Sequence, residues 1–407
     1  MLDGWKNVPL SELASFHSGG TPNKGQATYW GGPIPWVTVK DMKVMRLNGV
    51  GESLTKEGAD TVRVVPAGTV LVLVRGMGLF KDLPVVLCNR PVSFNQDIKA
   101  LVAKKGVDSE YLAFALIARK SDILRHVDSA GHGTGRLDTD LLKSTPLPLP
   151  PLHEQRKIAE ILRTWDDAIE KLTALRKAKQ RLYSTLADGL IFGTLRLGNN
   201  RRDWALRRLA DVTREITARN RDGKLGRDKV MGVTNSRGIV PMREQTIGGD
   251  LTKYKILPPR AFAYNPMRIN VGSIAMLKQD SDVLVSPDYV LFECVPGGLD
   301  PDFLDHLRQS HFWDHYINAG GSGSVRMRTY YDDLAALRLK LPDYDEQLAI
   351  SSALNTANDE IALLTTEIDA LTRQKRGLMQ KLLTGEWRVK VDPAFPSNPA
   401  RETTDAR

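Results

Sequence analysis

The chain has 407 residues, enough for two or three domains, each with a core of its own. Its apolar fraction of 42% and charged fraction of 26% are those of a soluble globular protein, and no run approaches the roughly eighteen apolar residues of a membrane helix. The formal net charge of +9, with a pI near 9.4, points towards a polyanionic partner, although a merely basic soluble protein has the same balance.

The opening, MLDGWKNVPL, lacks a charged leader followed by an apolar core, so no signal peptide is expected. Residues 1–150 then mix short β-rich runs such as GTVLVLVRG, set between Gly/Pro turns, with one helical stretch at 109–119. From 151 to 195 the pattern becomes helical and free of internal proline. Apolar residues recur at alternating intervals of three and four: Ile158, Ile161, Trp165, Ala168, Leu172, Leu175, Leu182 and Leu186. A second globular stretch, 196–342, holds ten basic residues against five acidic ones between 201 and 230, the strand-like YVLFECV, and a helix at 301–311. A second helical run, 343–388, places Ile350, Leu354, Ala357, Ile361, Leu364, Ile368, Leu371, Leu378 and Leu382 on one seam. The polar, Pro-rich end, 389–407, reads as a disordered tail. Cys88 and Cys294 form no metal-type pair and read as reduced thiols of a cytoplasmic protein.

The two halves echo each other. PLHEQRKIAEIL at 151–162 returns as DYDEQLAISSAL at 343–354, each just after a Leu-Pro. GVDSEYLAFAL returns as GLDPDFLDHLR, the openings GWKNVPLSEL and DWALRRLADV share a Trp and a Leu, and Arg136 and Arg328 lie at matching distances before the Glu-Gln. A period near 190 residues means a tandem of two α+β domains, each followed by a long helix. Each seam is broken by one lysine, Lys179 or Lys375. The second helix is expected to be longer by four residues, between Ile361 and Ile368, and each lysine either fixes the register or snorkels out of the seam. If the two seams pair, the helices are antiparallel rods of ~50–60 Å. Such rods would hold two unlike heads apart, to read two half-sites across an unread gap, that is, an asymmetric bipartite DNA site. Glu154-Gln155 and Glu346-Gln347 are placed to cap the first turn of each helix.

The order of these pieces resembles the specificity subunit of Type I restriction-modification systems. The residues that carry the resemblance are FHSGGTP and YWGGPIPWVTVKDM in the first half, YNPMRINVGSIA and VSPDYVLFEC in the second, and the twice-used Leu-Pro…Glu-Gln helix starts with their Leu-x-x-x-Leu-x-x-Gly ends. The resemblance implies two target-recognition domains on double-stranded DNA. It also implies helices that set the spacer and dock two methyltransferase (modification) subunits, with restriction/translocase subunits joining them. This chain would bind no cofactor itself: S-adenosylmethionine belongs to the methyltransferase partner, and ATP and Mg to the restriction partner. The second half departs from the pattern, because TREITARNRDGKLG stands where SGGTP stands in the first.

Base edges are read by Arg, Lys, Asn and Gln, and phosphates by Arg, Lys, Ser, Thr and the N–H groups of glycine loops. On that chemistry the candidate contacts of the first head are Ser18, Gly19, Gly20, Thr21, Lys40, Arg75, Asn95, Gln96 and Arg136. Those of the second are Arg219, Asn235, Ser236, Arg237, Arg268, Ser286, Arg326 and Arg328. Each also has a plain reading as a turn former, cap or solvated side chain. Two other classes compete: an enzyme that methylates or cuts DNA by itself, and a coiled-coil scaffold with little affinity for DNA. The enzyme reading is weak. NPMR at 265–268 puts Met267 and Arg268 where an amino-methyltransferase signature has a proline and an aromatic ring. Asp288 and Glu293 are followed by Val295, where a metal-dependent nuclease has lysine. GGTPNKGQ lacks the Gly-Lys-Ser/Thr of a phosphate loop, and His311 and His315 have no third ligand.

Overall fold

The computed structural model describes residues 4–47, 49–130, 133–198, 202–319 and 328–390. Arg326, part of each glycine loop and the expected tail beyond 390 lie outside the described residues. The two helical runs form single helices, Leu152–Ile191 and Tyr344–Leu383, each of 40 residues. Their equal length overturns the expectation of four extra residues in the second. The landmarks repeat at one constant interval: Glu154 and Glu346, Ile158 and Ile350, Leu162 and Leu354, Leu190 and Leu382. Four residues turn a helix through ~400°, only ~40° from a whole turn, so a slip of four leaves an apolar stripe almost unchanged and the sequence pattern misleads. Both helices also end alike. Gly193 and Gly385 take φ of +70° and +77°, values suited to glycine. Leu195 N donates to the Gly189 carbonyl at 2.8 Å, as Trp387 N does to that of Lys381 at 3.1 Å.

The chain divides into two units, Met1–Leu172 with Glu367–Arg407, and Thr173–Thr366. The division falls inside both long helices, so each unit contains a head, the start of one helix and the end of the other. The first head contains β1 (Lys6–Pro9), β2 (Ala14–Ser18), β3 (Trp30–Val37), β4 (Val70–Leu73), β5 (Arg75–Gly76), β6 (Val85–Leu87), β7 (Val92–Phe94), β8 (Ile98–Ala103), β9 (Val127–Ala130), β10 (Thr134–Leu137) and β11 (Pro146–Leu149). Its central sheet is antiparallel in the order β2-β8-β4-β6. All four residues of β4, VLVL, are buried, which explains their unbroken apolar run. The helix Ser109–Ala118 buries Tyr111, Leu112, Phe114 and Leu116, and Asp108 caps it through Tyr111 N at 2.9 Å. β3 pairs in parallel with β7, β10 joins β9 and β5, and β1 joins β11.

The second head contains β12 (Ala205–Arg208), β13 (Thr213–Glu215), β14 (Met231–Thr234), β15 (Gly238–Pro241), β16 (Phe262–Tyr264), β17 (Ile274–Met276), β18 (Val290–Cys294) and β19 (Arg338–Leu341). Its sheet, β13-β18-β16-β17, repeats the order of the first. Phe262 and Phe292 stack in its core with centroids 5.1 Å apart. The helix Pro301–Leu307 is capped by Asp300 as its counterpart is by Asp108.

Within each unit the helix segments run antiparallel. In the first, Lys375 Nζ lies 2.5 Å from Asp166 Oδ1 and 5.2 Å over the Phe114 ring. In the second, Arg176 reaches Thr365 at 3.5 Å and Lys179 pairs with Glu360 at 2.5 Å. Both lysines are therefore tied to a carboxylate of the facing helix. Ile158, Ile350, Leu354, Ile361, Ile368 and Leu382 of the expected seam are buried, and so are Leu162 and Leu190, which the leucine spacing did not place on it. Leu175 and Leu182 are not: both are exposed, and the half-buried Arg176 and Tyr183, one position later, take their place.

The repeated Glu-Gln joins helix to head instead of capping the helix. Gln155 Oε1 accepts from Asp108 N at 2.9 Å, and its Nε2 donates to the carbonyls of Gly106 (3.1 Å) and Pro150 (2.8 Å). Gln347 makes the same three bonds to Asp300 N (2.8 Å), Gly298 (3.2 Å) and Pro342 (3.1 Å). Glu154 takes Trp5 Nε1 at 3.2 Å and pairs with Arg388. Glu346 takes Trp204 Nε1 at 3.3 Å and Arg196 Nε at 2.6 Å. In each unit a helix start is thus bound to its own head and to an arginine just past the end of the other helix. The first-turn cap of the second helix is Asp343, which accepts from Glu346 N at 2.9 Å.

Candidate nucleic-acid interface

In the first head eight of the nine candidates meet at one end of the sheet. β2 ends at Ser18, whose Oγ accepts from Lys99 Nζ at 2.6 Å. A Cβ on Gly19 would lie 2.2 Å from the Phe94 carbonyl oxygen, so only glycine allows the chain to pass there. Gly20 N then donates to that oxygen at 2.9 Å, and the Gly20 carbonyl accepts from Trp36 Nε1 at 2.9 Å. Thr21 Oγ1 donates to Gln96 Oε1 at 2.7 Å. The turn carrying Asn95 and Gln96 is built by Asn95 itself, through Asp97 N at 3.3 Å. The Asp97 carbonyl in turn receives Val74 N at 2.8 Å and Arg75 N at 3.2 Å. Arg136 on β10 is registered directly opposite Arg75 on β5. Lys40 follows β3 in a turn closed by Thr38 and Asp41 and is exposed; the carbonyl of Val37, three residues earlier, receives Asn95 N at 3.1 Å.

Arg75 and Arg136 are both exposed, and among the described residues neither forms an ion pair. Like charges directly opposite across strands repel. Asp128 on β9 is registered opposite Arg136 on the other side, so the row Asp128, Arg136, Arg75 keeps one net positive charge, which suits an anion or a base edge with paired acceptors. Sequence reasoning missed Lys24, whose ammonium lies 5.5 and 5.3 Å from the rings of Trp30 and Trp36. The sixfold spacing of those tryptophans in a Gly-Pro strand was the available signal.

The second head builds its end differently. The turn at Ser286, with Asp288 N donating to Ser286 Oγ at 3.3 Å, stands where Asn95–Asp97 stands in the first head. Thr329 N donates to the Pro266 carbonyl at 3.0 Å, as Leu137 N does to that of Val74 at 2.8 Å, so Arg328 and Arg136 are structural equivalents. Arg328 is exposed, and the neighbouring Tyr330 raises its pKa. The hairpin between β14 and β15 carries Asn235, Ser236 and Arg237 at its tip. Asn235 Nδ2 donates to the Val271 carbonyl at 2.6 Å, which brings the tip against the turn that follows the exposed Arg268. Arg219 stands apart from that tip: it bridges to Lys255 and its guanidinium is bound to the Lys253 carbonyl at 2.6 Å.

Several residues named for the alternative chemistries are held in local contacts. Glu293 is engaged by Arg214 at 2.5 Å. Met267 N donates to Asn265 Oδ1 at 2.9 Å, which makes NPMR a closed turn. Among the described residues no three His, Cys, Asp or Glu side chains are grouped to hold a metal ion. Both cysteines are free and buried; burial pushes the Cys88 thiol up to about 12 and Cys294 upward as well, away from reactivity. Among the described residues no helix is long and apolar enough to cross a membrane.

The architecture defines a class: a duplicated α+β head, each copy closed by antiparallel segments of two long helices. Residues 2–180 match the family described as "Type I restriction modification DNA specificity domain". A Type I restriction enzyme specificity subunit of Escherichia coli is 32% identical over 172 residues, 42% of this chain and 42% of that protein. One from Methanocaldococcus jannaschii is 23% identical over 322 residues, 72% of this chain and 73% of the other. The S subunit of a Type I restriction-modification system from M. genitalium superposes with a TM-score of 0.60 at 14% identity, covering 94% of this chain and 98% of its own. Over residues 2–180 the sequence is similar to that specificity domain, and over nearly its whole length the fold is similar to that of an S subunit.

Proposed function

We propose that the chain is the non-catalytic subunit that gives a Type I restriction-modification complex its DNA sequence. Each head reads one half of an asymmetric, bipartite site, and the helix after it, ~60 Å long at 1.5 Å per residue, acts as spacer. Two methyltransferase subunits dock on the helices, and restriction/translocase subunits join them in the cytoplasm. S-adenosylmethionine stays with the methyltransferase partner, and ATP and Mg with the restriction partner. The observation that supports this reading best is the opposed pair Arg75 and Arg136 beside the SGGT and NQ turns, with Arg328 at the equivalent place of the second head.

The test is selection of bound duplexes from a randomised pool by the full chain with its methyltransferase partner. Two short, different sequence blocks separated by a constant gap are expected. Enrichment of no sequence would leave the scaffold reading; methylation by the chain alone would favour the enzyme. Replacing both Arg75 and Arg136 with Ala should weaken binding and lower the salt slope by about two if both contact phosphates.

A further inference from the structure

In each head an apolar turn projects beside the arginines. In the first, β5 runs through Gly76, at φ +152°, into a short turn, Met77–Phe80. Met77 is 74% and Phe80 51% exposed, whereas Leu79 between them is buried. Leu79 anchors the turn: its Cβ comes within 3.1 Å of where a side chain on Gly135 would begin. The turn is therefore fixed against β10, next to Arg136, and follows Arg75 directly in the chain.

The second head has the same construction with other residues. β16 leads through Met267, 41% exposed, and Arg268 into a turn in which Ile269 is buried and Val271 is 57% exposed. Gly272, at φ +84°, ends the turn, and Asn235 holds it through the Val271 carbonyl. Arg328 lies alongside, through the bond from Thr329 to Pro266. A single exposed methionine needs no explanation. Two unlike sequences that each build a buried anchor, two projecting apolar side chains and flanking arginines at the same point of a repeated fold do need one.

We infer that these turns are wedges. On the reading that the heads bind duplex DNA, Met77 with Phe80, and Met267 with Val271, enter between neighbouring base pairs and partly unstack them, while the flanking arginines hold the backbone. Apolar side chains without hydrogen-bonding groups read no base edge, but they gain free energy when they leave water for the face of a base. The favoured partner is the polyanion and not a protein surface, because Arg75, Arg136, Arg268 and Arg328 surround the turns. Sequence preference would then include a step that unstacks easily, such as a pyrimidine–purine step.

The experiment uses the duplex selected above, bound by the full chain with its partner. Unstacking is read by permanganate at thymines and diethyl pyrocarbonate at purines. Enhanced reactivity at one step in each half-site is expected. The M77A/F80A variant should lose the enhancement in one half-site alone, and M267A/V271A in the other alone. All four side chains are exposed, so both variants should fold. A tightly bound duplex with uniform reactivity overturns the wedge and leaves the DNA reading standing. Failure to select any duplex overturns both.

Discussion

Single residues carry most of what joins helix to head. His306 shows how finely. It is buried, with Tyr183 Oη at 2.8 Å from Nδ1 and Asn355 Oδ1 at 2.9 Å from Nε2. Nε2–H donating to Asn355, with Nδ1 accepting from Tyr183, satisfies the neutral ring completely. Burial, offset in part by Asn355 and the charges of Asp305 and Asp302, holds its pKa below the ordinary 6.5. A depressed histidine favours the folded state while neutral. Its contribution is full above the unfolded value and is lost as the pH falls below 6.5 towards the folded value. Urea unfolding between pH 7.5 and pH 5 should show that loss, and the slope should flatten in His306→Phe, the residue found at the equivalent Phe114. An equal slope in both proteins would contradict the assignment. No sequence pattern marks this histidine, because its partners come from segments separated by more than a hundred residues along the chain.

The elements were the most legible scale. Periodicity of three and four, absence of proline and the doubled Glu-Gln marked both long helices, since an amphipathic face is a local property of the chain. The register was not legible, since a four-residue slip conserves that face. The buried and exposed leucines test it directly. Leu162→Ala, at a fully buried seam position, should cost about 2–5 kcal/mol in thermal or urea unfolding. Leu175→Ala and Leu182→Ala should each stay within roughly 0.5 kcal/mol. A large loss in the latter pair would restore the seam expected from the leucine spacing. The candidate contacts were legible in part. SGGT and NQ announce turns by composition, but that these turns bind one another through Phe94 and Gln96 depends on β2, β7 and β8 converging. Arg219, chosen for its charge, is bound to a backbone carbonyl instead.

For the whole molecule, the duplication carries the functional argument. If the helices are the spacer, removing seven residues at matched positions of both keeps the seam in phase and shortens each by ~10 Å, about three base pairs of duplex. The selected gap should shrink by that amount with both sequence blocks unchanged. An unchanged gap would contradict the spacer role. The amino-acid sequence by itself determined the tandem of two α+β heads, the two long helices and the basic balance. These rest on local periodicity, repeated motifs and composition, which survive in one dimension. The tertiary structure alone decided the helix register, the use of Glu-Gln as a clamp, and the meeting of arginine pairs with apolar turns. Each of these depends on which distant segments come within a hydrogen bond's or a side chain's reach, and a linear pattern does not encode that distance.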